Sequence, residues 1–279
     1  MVLRLTLRCD LACPHCLASK KKDSSELTTE QWKTLISQFS EIGVKKVLLT
    51  GGEPLLRTDL LEIVQALGNL GIHTDLNSNL QRMDLDLMRN LKRSGLSEIS
   101  VSLEGPEEIH DRMHGSPGSY RQLIQAIDWA ARVEIPVDAS CCLNLDNYLY
   151  IKEHIKTAEV LSIRSLTFSR LLPIGHGNKS QQNLTQDQLD ACYQLIHHEM
   201  TKEASIPIRL TGLLGPPRLS DCERGRSLAG ISPDGHLLAC VLTKDNPSVP
   251  HPLKIGLKQA LTTLNEELTR QPFALCWQE

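Results

Sequence analysis

Apolar positions recur along this chain in two alternating rhythms. Short apolar or every-other-residue runs at 2–7, 46–50, 73–77, 98–103, 136–143 and 164–169 read as strands. Longer stretches with helical spacing lie between them. Thr28 caps the first, with Gln31 in capping-box position. It puts Trp32, Leu35, Ile36, Phe39 and Ile42 on one face and stops at Gly43. Further helices are expected over 58–71, 84–94, 120–133, 147–161 and 185–202.

Strand–helix units repeated in this way, with right-handed crossovers, predict a parallel sheet curled into part of a barrel, a partial (β/α)6 TIM-like fold. Residues 1–205 are assigned to that core. The alternation ends after Ser205, where Gly215, Pro216 and Pro217 break it. Runs at 228–231 and 236–241 flank Ser232-Pro233-Asp234-Gly235 and read as a β-hairpin. A final helix is expected over 255–269. Residues 206–279 are therefore assigned to a small hairpin-and-helix extension.

Polar residues and cysteines fall at the carboxyl ends of the expected strands, the face where β/α barrels carry their sites. Cys9 follows the first strand and Gly51 the second. Asn79 follows the third, Ser102 and Glu104 end the fourth, Asn144 the fifth and Arg170 the sixth.

Composition narrows the function classes. The chain has 279 residues, 41% hydrophobic and 23% charged, with a formal net charge of −3. That balance gives no reason to expect nucleic acid or an anionic membrane as partner. No apolar run is long enough to span a bilayer. The first residues form a strand pattern rather than a signal peptide, so a cytoplasmic location is expected. Nine cysteines in such a compartment suit metal ligation and core packing better than disulfides.

Cys9, Cys13 and Cys16 stand in C-x3-C-x2-C spacing. Three thiolates on one short loop suit an iron–sulfur cluster that keeps one iron open for chemistry. A structural zinc site is the alternative, though zinc ordinarily takes four ligands. The second motif is Thr50-Gly51-Gly52-Glu53-Pro54, after an apolar run. Paired glycines let a backbone approach a ligand closely, and Glu53 can accept a hydrogen bond from an ammonium group. An ordinary turn between strand and helix explains the same residues.

The two motifs, in this order and spacing, resemble the radical S-adenosylmethionine (radical SAM) superfamily. The resemblance implies that Cys9, Cys13 and Cys16 hold a catalytic [4Fe-4S] cluster. It implies that Gly51, Gly52, Glu53 and Pro54 bind the SAM methionine. His15 stands where relatives carry an aromatic residue near the adenine. Ser102 resembles the position that touches the SAM ribose or carboxylate, Asn144 a polar residue at the end of strand five, and Asn79 lies on the same rim. Glu104 could face the substrate. Cys141, Cys142 and Cys192 are read as structural.

The later cysteines extend the resemblance. Cys222 and Cys240 bracket the hairpin, and with Cys276 they resemble the SPASM or twitch extension that holds an auxiliary [4Fe-4S] cluster. Residues 171–177 resemble its linker. The fourth ligand stays open among Glu279, Cys192, substrate and none. Three buried free cysteines are the simpler reading.

The implied activity is reductive cleavage of SAM to a 5′-deoxyadenosyl radical that abstracts hydrogen from a substrate C–H bond. The expected role is maturation of a ribosomally made peptide, with a flavodoxin or ferredoxin as electron donor. Oxidation of a sugar, aminocyclitol or other small polar molecule is the alternative within the family. A zinc-binding regulatory protein is the alternative outside it.

Overall fold

The structure is a computed structural model and describes residues 1–16, 25–172, 182–202, 206–211, 229–239 and 249–270. Its described strands form one sheet in the order β7-β6-β5-β4-β3-β2-β1-β8-β9. The first six, β1 (Val2–Arg4), β2 (Lys46–Thr50), β3 (His73–Asn77), β4 (Glu98–Ser102), β5 (Val137–Leu143) and β6 (Ser165–Arg170), pair in parallel with the next in sequence. Between them run α1 (Thr29–Ile36), α2 (Leu60–Gly68), α3 (Leu85–Arg93), α4 (Glu107–His114), α5 (Ser119–Arg132) and α6 (Ile151–Val160). After β6 come α7 (Gln186–Thr201), β7 (Ile208–Thr211), β8 (Gly230–Ile231), β9 (Leu237–Leu238), α8 (Pro252–Ile255) and α9 (Leu257–Arg270).

Helices α1 and α7 begin where their caps predict, but α1 ends at Ile36 rather than at Gly43, and α6 starts at Ile151, after a 3-10 turn over Tyr148–Tyr150, rather than near Asn147. Thr28 and Gln31 close a reciprocal capping box on α1, and Thr185 and Gln188 another on α7. The expected helix over 58–71 starts later, at Leu60, because Pro54–Leu56 takes a separate 3-10 turn. The first strand is shorter than 2–7, although Leu5 still donates its N–H to Thr50 O at 2.8 Å.

Helix α4 and strand β7 were not expected. Helix α4 is polar, but Pro106 precedes it, Glu107 and Glu108 occupy its first turn, and Gly115 ends it in the left-handed conformation. Strand β7 has four residues and continues the sheet in parallel beyond β6. At the other edge the hairpin joins the same sheet: β8 pairs in parallel with β1, and β9 folds back on β8. Gly235 makes the hairpin turn at φ +90°. A Cβ there would also come within 2.6 Å of the His251 ring, so glycine is required twice over.

Strand parity separates core from cavity. Val47, Leu49, Leu76, Ile99, Val101, Val137, Ala139, Cys141, Leu166 and Phe168 point outward and are buried in the core formed with the helices. The alternate positions point inward, and most of them are polar: Thr50, Asn77, Ser102, Ser140, Cys142, Ser169 and Thr211 line a single cavity. Together with Val2 and Arg4 of β1, residues from seven strands face one space, so the sheet wraps around it.

An ionic belt closes the lower end, at the amino ends of the strands. Buried Glu98 on β4 meets Lys46 of β2, His73 Nε2 of β3 at 3.1 Å, and Arg164 just before β6. Arg164 Nε also donates to Asp138 of β5 at 2.9 Å, and Arg209 of β7 donates to Ser165 at 3.3 Å. Burial alone would raise the Glu98 pKa. Lys46, Arg164 and His73 overcome it and hold the group at about 2.

A carboxylate held this low stabilises the fold above its unfolded value, and that contribution fades as pH falls toward about 2. Glu98→Gln is expected to cost about 1–3 kcal/mol at neutral pH in urea unfolding, since Lys46 and Arg164 keep partial access to water. The gap to wild type should narrow in acid. A gap independent of pH would show that the charge is not what stabilises this end.

Candidate active site

The cavity at the carboxyl ends of the strands measures about 550 Å³. Cys9, Cys13 and Cys16 line it together with Thr50, Gly51, Gly52, Glu53 and Asn79. The two sequence motifs meet through backbone. Gly52 donates its N–H to Thr6 O at 2.7 Å, and Glu53 donates its own to Arg8 O at 2.7 Å. A Cβ on Gly52 would lie 2.0 Å from Arg8 O, and one on Gly51 2.4 Å from Thr6 O. The paired glycines are thus required by close approach of the chain segment that leads into the thiol loop.

Side chains fix the rest of that loop. Cys16 donates its N–H to Cys13 O at 3.2 Å, closing a turn between the second and third thiols. Leu11 donates its N–H to the Cys9 sulfur at 3.4 Å. Asn79 Nδ2 reaches Asp10 at 2.9 Å and lies 4.0 Å from Cys9 Sγ, and Arg82 holds the other Asp10 oxygen at 3.0 Å. Buried Arg57, which belongs to neither sequence motif, donates to Leu5 O, Leu27 O, Glu26 and Asp59. It ties β1 to the segments on either side of the loop.

The electrostatics favour a cationic guest. Burial pushes the Cys13 thiol up to about 12, reinforced by Cys16, Cys9 and Glu104. The Cys13 thiol thus ionises readily only if positive charge arrives beside it. The residues therefore fit an iron–sulfur cluster, for which Cys9, Cys13 and Cys16 supply the thiolates.

Glu53 is 1% exposed and shapes the strip from within. It accepts from Leu55 N–H at 2.9 Å, Ser78 Oγ at 2.8 Å and Asn79 N–H at 2.8 Å. Burial raises its pKa to about 7 against those three donors. A carboxylate has about four acceptor sites, so one remains.

Glu104, at the end of β4, lines the cavity and faces His15 Nε2 at 3.5 Å; it also accepts from Cys142 N–H at 2.8 Å. Burial opposes charge on both partners, yet their contact outweighs it. His15 keeps its proton above the ordinary histidine range, and Glu104 loses its own below the ordinary range. Behind them, His110 and His114 of α4 stack with ring centroids 4.0 Å apart, both pushed toward the neutral form by burial. His114 reaches the cavity, and its carbonyl lies 4.0 Å from Cys13 Sγ.

Of the residues singled out in sequence, the cavity brings together Cys9, Cys13, Cys16, His15, Gly51, Gly52, Glu53, Asn79, Ser102 and Glu104. Pro54 is buried as the first residue of the 3-10 turn. Asn144 is fully buried: its amide donates to Cys142 O at 3.0 Å, and its oxygen accepts from Asp146 N–H at 2.8 Å, within its own turn. Cys141 and Cys192 are buried among core side chains as expected. Cys142 is the correction, since strand parity turns its neighbour outward and leaves Cys142 on the cavity wall. His114, Arg4 and Ser140 join that wall without having been singled out in sequence, and Arg170, expected there at the end of the sixth strand, joins it as well. Cys222, Cys240, Cys276 and Glu279 lie outside the described residues, as do residues 173–177 of the linker-like segment.

Residues 3–158 match the sequence profile of the Radical SAM superfamily. The PqqA peptide cyclase of Bradyrhizobium diazoefficiens is 29% identical over 256 residues, covering 86% of this chain and 66% of that protein. The AdoMet-dependent heme synthase of Oleidesulfovibrio alaskensis is 30% identical over 174 residues, 61% of this chain and 45% of its own length. The chain thus spans two thirds or less of the length of these two curated relatives. Among solved structures, Streptococcus suis SuiB bound to precursor peptide SuiA superposes with a TM-score of 0.77 at 18% identity, over 91% of this chain and 63% of SuiB. That likeness is one of fold.

The approach of Gly52 to Arg8 O yields a direct test. Gly52→Ala cannot be absorbed by a rotamer change, because the neighbour is backbone. The variant is expected to lose most of its capacity to take up iron on anaerobic reconstitution, with a lowered thermal midpoint. Wild-type iron uptake by Gly52→Ala would mean that the strip does not hold the thiol loop in place.

Proposed function

The chain belongs to the radical SAM superfamily, and on that premise we propose that it is an enzyme that modifies a C–H bond in a ribosomally made peptide. The observation that carries the reading is the meeting of the three-thiol loop and the Gly51-Gly52-Glu53 strip on one cavity, joined backbone to backbone. When bound, the cluster and SAM supply a one-electron reductive cleavage that yields a 5′-deoxyadenosyl radical able to take hydrogen from a substrate carbon.

The residues have separate tasks in this reading. Cys9, Cys13 and Cys16 hold the cluster. Gly51 and Gly52 leave backbone room for the methionine end of SAM, and the remaining acceptor site of Glu53 takes its ammonium. Ser102 and Asn79 face the same space, and His15, oriented by Glu104, lies against the nucleoside end. Pro54 acts indirectly by starting the turn that aims Glu53. The wrapped sheet keeps water from the reacting centre.

The peptide assignment draws on the names of relatives, a peptide cyclase and a structure bound to a precursor peptide. Family membership favours the enzyme over the zinc-binding regulatory alternative. Residues 206–279 are proposed as the SPASM or twitch-type extension, with Cys222, Cys240 and Cys276 holding an auxiliary cluster. A flavodoxin or ferredoxin is the proposed electron donor, and the cytoplasm the proposed location. Among the described residues no helix is long and apolar enough to cross a membrane.

Anaerobic protein reconstituted with iron and sulfide and reduced with dithionite is expected to produce 5′-deoxyadenosine from SAM. Protein fully loaded with iron that makes none would defeat the reading.

The Glu53 assignment carries a pH signature. With its pKa near 7 in the free protein, binding an ammonium requires the carboxylate to lose its proton. SAM affinity should rise with pH up to about 7 and level off above it. In Glu53→Gln the affinity should fall roughly tenfold or more, and this pH dependence should disappear. Unchanged affinity in the variant would remove Glu53 from the SAM site.

Replacing Cys222, Cys240 and Cys276 together by Ala should leave roughly half the iron, as one of two four-iron clusters, with SAM cleavage retained. Iron content equal to wild type would leave these cysteines as core residues.

A further inference from the structure

The cavity wall formed by β5, β6 and β7 carries a cation with an unfilled donor. Arg170 closes β6 in register with Leu143 of β5 and lines the cavity. Its Nε is buried and has no hydrogen-bond partner among the described residues. Ser169 beside it is in register with Thr211 of β7, and both line the same wall with Ser140. A buried guanidinium nitrogen without an acceptor costs free energy that a ligand can return.

The acidic side chains of the cavity do not fill that need. Glu53 is engaged by Leu55, Ser78 and Asn79, and Glu104 by His15 and the Cys142 amide. The cavity lining therefore includes a guanidinium with an N–H donor to spare. That chemistry matches a carboxylate.

We propose that Arg170 forms a carboxylate-binding subsite that positions an acidic residue of the peptide substrate; this rests on the peptide reading above. SAM also carries a carboxylate. However, the residues assigned to SAM sit on β1 to β4 and the loops that follow them, whereas Arg170 lies two strands beyond β4. At the usual strand spacing that is roughly 10 Å away. The subsite is consequently assigned to the substrate.

The test is calorimetric titration of the reconstituted, SAM-saturated full chain with three probes: N-acetyl-Ala-Glu-Ala-amide, its Gln counterpart, and glutarate. The glutamyl peptide is expected to bind at least about tenfold tighter than the glutaminyl one, as for a site built around a charged partner. Arg170→Gln should erase that preference. Arg170→Lys, which keeps charge without the guanidinium, should restore part of it and guards against a folding defect. If glutarate binds through Arg170 while neither peptide binds, the carboxylate subsite stands and the peptide reading falls. If the two peptides bind alike, if no probe binds, or if the preference survives in Arg170→Gln, the subsite is overturned. A roughly tenfold loss of SAM affinity in Arg170→Gln would assign the guanidinium to SAM's own carboxylate and would equally overturn it.

Discussion

The contact on which the site depends is the backbone approach of Gly51 and Gly52 to Thr6 and Arg8. It joins the first two β/α units above the strand ends, where ladder hydrogen bonds no longer act. Without it, the thiol loop would be a surface excursion of ordinary freedom, and ordering three sulfurs around a common guest would cost backbone entropy at every residue. With it, the segment entering Cys9 is already held on one side. Arg57 and Asp10 hold the other sides, the first through Leu5 and Leu27 carbonyls, the second through Asn79 and Arg82.

A parallel sheet is usually apolar on both faces. This one is apolar outside and mostly polar inside. Inward positions carry serine, threonine, asparagine and cysteine, so nothing fills the upper barrel, and the space is left for ligands. The lower end is instead closed by charge, with Glu98 at the centre of a belt reaching from β2 to β7. The division of labour is physical: outward side chains supply the burial that stabilises the fold, and inward side chains pay for the cavity by being polar enough to remain wet until it is occupied.

Much of this was legible in sequence because it rests on local pattern. Strand parity, helix caps and the two motifs all act over a few residues, and they placed Cys9, Gly51 and Ser102 on one rim. What escaped depends on distant partners. β7 is four residues long and exists as a strand because β6 offers an open edge. α4 has no strong apolar face; its end signals at Pro106 and Gly115, with Ile109 and Met113 four apart, were the available clue. Cys141 and Cys142 are chemically identical neighbours, so only the register of β5 decides which one meets the cavity, and a slip of one residue would exchange them. Asn144 lies just past the strand, where parity no longer governs, and its side chain is spent on its own turn.

The pairing of β8 with β1 has a consequence for how the molecule is made. Val2 and Leu3 lie beside Gly230 and Ile231, so β1 receives a neighbour that is synthesised more than two hundred residues after it. Contacts of such sequence separation form slowly, because a long stretch of chain must close before they contribute. Until then the strand that feeds the thiol loop has one bare edge. The loop that carries Cys9 is thus entered from a strand whose second flank is supplied from far along the chain, and its footing is complete only when β8 has docked.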